Sequence, residues 1–134
     1  SFMSKILKDD SAALGGVEVQ LRQWGLIKKH ISRQDKKTVK ELCRIVTRRA
    51  GRITAATIFA IVTHIDEHII RRHTVAMDGT LFHKCPFFKD DIRDTLGQLS
   101  REVFGDERCD KIVLKACPDS SGVGAAIIAA TVVS

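Results

Sequence analysis

The chain has 134 residues, 44% apolar and 28% charged, with 22 Lys plus Arg against 16 Asp plus Glu for a net charge of +6. That composition fills an ordinary core and excludes a disordered chain, and the length suits one domain or part of a larger one. The positive balance attracts nucleotides, nucleic acid or an anionic membrane surface without choosing among them.

The opening residues, Ser1 to Asp10, hold no sustained apolar segment and no small-residue cleavage pattern, so they do not read as a signal peptide. The start has the abrupt form an internal cut would leave. Asp9, Asp10 and Ser11 can cap a first helix whose apolar stripe is Leu14, Val17, Leu21 and Trp24, and Gly25 stops it. The polar run Lys28 to Lys37 reads as a loop into a long helix from about Asp35 to His64. There Val39, Leu42, Val46, Ala50, Ile53, Thr57 and Ala60 keep one face, which predicts burial. From Ile53 to Val62 the helix is apolar nearly all round, as expected of a helix enclosed on several sides.

Arg72 to Met77 predicts a strand that ends in the turn residues Asp78, Gly79 and Thr80. Pro86 fits the first turn of another helix with the stripe Phe88, Ile92, Leu96, Leu99 and Val103, closed by Gly105. Ile112, Leu114 and Ala116 alternate along a second strand. The tail couples Pro118 to Gly124 to an apolar run ending at Val133, which reads as turn and buried helix. The longest apolar runs are about half of the roughly 20 residues needed to cross a bilayer, so no membrane span is expected.

Several patterns carry possible chemistry. The turn from Asp119 to Gly124 places hydroxyls and glycines at a helix start, where free N–H groups and the helix dipole favour a phosphate or polar ligand edge. Asp78, Gly79 and Thr80 could likewise hold a nucleotide or simply make a turn. Two strand-end turns separated by one helix and one strand could face the same crevice of an open α/β sheet. His64, Glu67 and His68 match the H-x-x-E-H zinc pattern, but no acidic third ligand stands out and no metal site is expected.

Lys40, Arg44, Arg48 and Arg52 form a basic row with Arg49 adjacent. With no Tyr and 5% aromatics it reads as a solvated or ion-paired face rather than a nucleic-acid site. Cys43, Cys85, Cys109 and Cys117 are scattered, which predicts reduced thiols in a cytoplasmic setting. Neither a P-loop nor G-x-S-x-G occurs, so no catalytic residue is assigned.

Taken in order, the motifs resemble the C-terminal part of the hexokinases. Ser1-Phe2-Met3-Ser4-Lys5-Ile6 looks like the family's S/K-F-[LI]-x-x-[IE], and Thr47-Arg48-Arg49-Ala50-Gly51-Arg52-Ile53-Thr54-Ala55-Ala56 looks like its [ST]-R-[RA]-A-x-[LR]-x-x-A helix. Val75-Ala76-Met77-Asp78-Gly79-Thr80-Leu81-Phe82 resembles V-x-x-D-G-[ST]-[LV]-Y, Cys85-Pro86-Phe87-Phe88 resembles H/Y-P-x-F, and Asp119 to Ala126 resembles D-G-S-G-x-G-A-A.

The resemblance implies an α/β fold: part of an actin-like ATPase (ribonuclease H-like) domain, with a long buried helix, short strands and a C-terminal helix. Residues 1–134 would be the C-terminal segment of a hexokinase large domain. In the full protein it would serve ATP-dependent phosphorylation of a hexose such as glucose at the 6-hydroxyl, with Mg2+ held mainly by the ATP phosphates. Gly79, Thr80, Leu81, Phe82, His83 and Lys84 would border ATP, and Ser121 and Gly122 would help form the adenosine pocket. Its partners would be ATP, the sugar and the remainder of the hexokinase chain.

Phe82 stands where the family has Tyr, Cys85 where it has His or Tyr, and Ser120 where it has Gly. Leu7 and Lys8 stand where an acidic residue is common. The first phosphate loop, the proton-accepting aspartate, the sugar contacts and the second phosphate loop have no counterpart here, so the segment alone should not phosphorylate sugar. The alternative implied by the departures is a non-catalytic hexokinase-like regulatory or scaffold protein.

Overall fold

Ser32 and Asp35 start the dominant element of the molecule. The Ser32 hydroxyl accepts from the Asp35 backbone N–H at 3.1 Å, and the Asp35 carboxylate accepts from the Ser32 N–H at 3.2 Å, so each satisfies a backbone donor the helix leaves orphaned. In the computed structural model, which describes residues 2–117 and 120–132, this helix (α3) runs Arg33–Ile65, beginning inside the expected loop. Before it come α1 (Phe2–Leu7) and α2 (Gly15–Gln23), and after it β1 (His73–Met77), α4 (Thr80–Lys84), α5 (Phe88–Phe104), a 3-10 turn at Asp106–Arg108, β2 (Ile112–Ala116) and α6 (Ser120–Val132).

α3 buries a different flank from the one its bulky residues predict. Thr47, Gly51, Ala55, Ile58 and Val62 are inside, at steps of four and three, whereas Leu42, Val46, Thr57 and Ala60 of the expected face lie exposed and Ile53 is 56% exposed. The reason is close approach. A Cβ on Gly51 would lie 2.8 Å from the Asp91 Cβ, so the glycine lets α5 nearly touch the α3 backbone. Ala55, Ile58 and Val62 then share one core with Phe88, Ile92 and Leu96 of α5, Phe82 of α4 and Ile112 of β2. A second core joins Ile6 to Leu14, Val17 and Leu21, while Trp24 is mostly exposed, its ring centroid 5.0 Å from that of Phe2.

α5 ends at Gly105 as expected, but Pro86 stands two residues ahead of its first residue, and Phe87, at φ 67°, caps it. Ser100 rather than Val103 continues the buried stripe, because the stripe rotates around the helix toward the core. α5 also supplies the crossover that two parallel strands require. β1 and β2 form a two-stranded parallel sheet, paired from His73 with Ile112 to Met77 with Ala116. Mixed helix and short parallel strands make this an α/β fragment of predominantly helical content.

The expected burial of the final helix is not met. Val123, Ile127 and Ile128 of α6 are each more than half exposed. Among the described residues no other element packs extensively against α6, so its surface stays open although it is apolar on all sides. All four cysteines are free thiols.

Candidate functional site

The strands that precede the two turns singled out in the sequence end at the same side of the sheet, although the second of those turns is already helical from Ser120. Because β1 and β2 run parallel with Met77 opposite Ala116, their C-terminal ends lie side by side, and the Cys117 N–H donates to the Met77 carbonyl at 2.9 Å. Asp78, Gly79 and Thr80 follow one strand, and the segment leading to Ser120 follows the other. Pro118 and Asp119 lie outside the described residues.

Gly79 is the residue the first turn requires. Its φ of 108° lies in a region that L side chains rarely adopt, although an added Cβ would meet nothing within 4 Å, so the constraint is conformational rather than steric. Its N–H donates to Asp78 Oδ1 at 2.6 Å, and His83 Nε2 lies 3.7 Å from the same oxygen. The carboxylate thereby ties the start of α4 to His83, the fourth residue of that helix.

The six residues expected to border ATP separate into two groups. Gly79, Thr80, Leu81, His83 and Lys84 are on the surface of the turn and short helix. Phe82 points the other way, 6% exposed, into the core beside Cys85 and Phe88, so only its backbone is available at this edge. Ser121 and Gly122 lie in the first turn of α6, where backbone N–H groups lack helical acceptors.

One connection had no local signal in the sequence. The Ser4 hydroxyl donates to the Lys84 carbonyl at 2.7 Å across 80 positions, tying α1 to the end of α4. A second is the Arg44 guanidinium, which grips the Asp91 carboxylate with both arms at 2.5 and 2.7 Å and lies 4.8 Å from the centroid of the Phe87 ring. Asp91 in turn raises the Arg44 pKa above its ordinary value. This pair holds α3 against α5, directly beneath the loop that carries Phe87.

The basic row is therefore divided. Lys40 donates to the Asp9 carbonyl and the Asp10 carboxylate, Arg44 is taken by Asp91, and Arg48, Arg49 and Arg52 project from the exposed flank of α3. The H-x-x-E-H spacing is broken because α3 ends at Ile65, so His64 and His68 do not share a helix. Asp66 caps that end instead. It accepts from the N–H groups of Arg71 and Ile70 and from His73 Nε2 at 3.0 Å, and these bonds hold its carboxyl well below the usual carboxylate range. Among the described residues, no group of three His, Cys, Asp or Glu is gathered to hold a metal.

A cleft of about 600 Å³ lies elsewhere, between the α1–α2 connection and the first turns of α3, lined by Leu7, Leu14, Arg33, Lys37 and Phe87 among others. None of the residues expected at ATP lines it.

The family model described as hexokinase matches residues 1–131. The chain belongs to the hexokinase family. It is 29% identical to Hexokinase-4 of Arabidopsis thaliana over 96% of its own length and 27% of that protein's. It is 36% identical to the Hexokinase-like 1 protein of Arabidopsis thaliana, over 72% of this chain and 20% of the relative. It is also 31% identical to the chloroplastic Hexokinase-2 of Nicotiana tabacum, over 92% and 24% respectively. The chain thus spans about a quarter of the length of these curated relatives. Among the described residues, no helix is long and apolar enough to cross a membrane.

Proposed function

We propose that residues 1–134 are the C-terminal segment of a hexokinase large domain and contribute the adenosine side of its ATP site. The observation that carries this reading is the parallel register of β1 and β2, which sets side by side the C-terminal ends of the strands that lead to the Gly79–Thr80 turn and to α6. Open α/β sheets bind ligands at the carboxyl ends of their strands, where loops diverge.

In this reading Gly79 and Gly122 let backbone approach the nucleotide, and the hydroxyls of Thr80 and Ser121 supply hydrogen bonds to it. Leu81, His83 and Lys84 border the ligand with their side chains, and Phe82 supports the turn from below. Ser4 fixes the Lys84 peptide. Mg2+ would come with the ATP phosphates, and the proton transfer from the hexose 6-hydroxyl would fall to residues outside this segment. Phosphoryl transfer depends mostly on positioning and charge stabilisation, so a segment that orients one end of the donor serves the reaction without touching the reacting atoms. The expected compartment is the cytoplasm.

Calorimetric titration of ATP into the natural protein at its full encoded length tests this. Thr80→Val should weaken binding about tenfold, the effect of losing one hydrogen bond of roughly 1 to 1.5 kcal/mol. Unchanged affinity in Thr80→Val would overturn the assignment. Absence of any ATP heat in the folded wild type would favour a regulatory or scaffold role without catalysis. That second reading is supported by Phe82, which has no hydroxyl to offer where the family has Tyr and is turned into the core.

A further inference from the structure

In the cleft between the α1–α2 connection and the first turns of α3, the polar groups divide into those already paired and those left over. The Asp9 carboxylate accepts from the Ser11 N–H at 3.1 Å, the Ser11 hydroxyl at 2.6 Å and the Val17 N–H at 2.9 Å, so it is consumed inside the connection. Lys40 Nζ donates to the Asp9 carbonyl at 2.6 Å and to Asp10 Oδ1 at 2.9 Å, and Lys36 Nζ donates to the Ala13 carbonyl at 3.2 Å. Two lysines thus fasten the connection to α3. The cleft, of about 600 Å³, is held open by the chain's own bonds, and its size suits a small molecule.

What is left over is mostly cationic. At the pitch of an α-helix, Arg33, Lys37, Lys40, Glu41 and Arg44 fall within an arc of about 100° and line the same cleft. Lys40 is taken by Asp10 and Arg44 by Asp91. Arg33 and Lys37, one turn apart and both exposed, have no partner among the described residues. Glu41, one turn beyond Lys37, is likewise unpaired among them.

The rest of the lining is apolar. Leu7 and Leu14, both nearly buried, meet Phe87, which is 45% exposed. The φ of Phe87, 67°, lies in the left-handed region that a bulky side chain rarely adopts. Its ring is steadied by the Arg44 guanidinium, 4.8 Å from the centroid and itself gripped by Asp91. Backbone strain of this kind persists where the surroundings enforce it, and it gathers at ligand sites.

We propose that this cleft binds a small organic phosphate monoester with a flat apolar body. The body lies against Leu7, Leu14 and the Phe87 ring, and the phosphate meets Arg33 and Lys37. Two cations one turn apart match a doubly charged group, and the planar fork of Arg33 can donate to two phosphate oxygens at once. Glu41 repels the phosphate and keeps it toward the Arg33 end. None of the residues expected at ATP lines the cleft, so this site does not rest on the nucleotide reading.

The test is fluorescence titration of the natural protein at its full encoded length with 1-naphthyl phosphate, whose ring system reports its own binding. Saturable binding is expected, with inorganic phosphate and 1-naphthol each at least about tenfold weaker as competitors, because each offers only part of the contacts. Arg33→Gln combined with Lys37→Gln should weaken binding at least about tenfold. Phe87→Gly should weaken it about fivefold, and glycine suits the positive φ, so this second variant keeps the fold. Glu41→Gln should tighten binding. Arg71→Gln combined with Arg72→Gln removes the same charge beyond the opposite end of the 33-residue α3 and should leave affinity within about twofold. Absence of saturable binding would overturn the proposal. So would equal weakening by the two double variants, which would mean general attraction to a basic surface. Weakening by Thr80→Val but not by the Arg33 and Lys37 variant would move the probe to the nucleotide edge and also overturn it. A protein that binds the probe and gives no ATP heat keeps this site while removing the nucleotide reading, so the two can fail separately.

Discussion

The two flanks of α3 carry similar amounts of apolar material but differ in side-chain size. The inner flank meets α5 through Gly51 and Ala55, with Ile58 and Val62 beyond them, while the outer flank presents Leu42, Val46, Ile53 and Ile61. Small residues let the two backbones approach until Asp91 sits against Gly51, and the pair closes with the Arg44 to Asp91 ion pair. The bulkier stripe is the one left exposed. Helix packing is decided by how near a neighbour can come as well as by how apolar a face is.

Several substitutions can break or sharpen that contrast. The largest effect belongs to the inner core: Ile92→Ala, at a fully buried position on α5, should cost about 2–5 kcal/mol in denaturant unfolding. Ile61→Ala on the outer flank sharpens the comparison, since this half-exposed Ile should change stability by no more than about 0.5 kcal/mol in the same measurement.

Next comes Arg44→Met, which keeps the stem but leaves Asp91 without its guanidinium. A loss of about 1–3 kcal/mol is expected. Gly51→Ala should cost less, on the order of 1–2 kcal/mol, because overpacking against Asp91 is partly offset by the better helix propensity of Ala. A gain in stability there would show that α5 retreats easily.

The smallest effect is confined to acid. Lys36, then Arg22 and His30, hold the Glu18 carboxyl down at about 2 from its usual 4.5. A depressed folded-state pKa stabilises the protein above the unfolded value, so this contribution is complete above pH 4.5 and is lost as pH falls toward about 2. Glu18→Gln should flatten that part of the stability profile and leave the pH dependence near neutrality unchanged.

Much of the element order was legible because it is written in local chemistry. Gly25 and Gly105 both adopt positive φ where their helices stop, and both short strands show in their alternation. The capping pair Ser32 and Asp35 was also present in the sequence, but the surrounding lysines and arginines read as a loop, which moved the expected start of α3 inward. The inner flank of α3 was not legible, since periodicity gives two stripes equal standing when both are apolar and only the proximity of Gly51 to Asp91 decides between them. The Asp78–Thr80 turn was legible as a strand end, whereas the second expected turn falls partly on Asp119, outside the described residues, and is already helical from Ser120; that the two strands end side by side depends on parallel register, a long-range property. The bond from Ser4 to Lys84 has no sequence signature at that separation. Phe82 was expected at the nucleotide, and its inward direction follows from the short α4 turning one side to the core.

The most direct test of a shared nucleoside between the two turns is photolabelling of the full-length protein with an azidoadenosine triphosphate probe, followed by peptide mapping. If Gly79–Lys84 and the start of α6 lie on opposite sides of one adenosine, label appears in both the peptide containing Thr80 and the peptide containing Ser121, and excess ATP suppresses both. Label confined to one of the two peptides, or found in neither, would contradict their convergence on a single ligand.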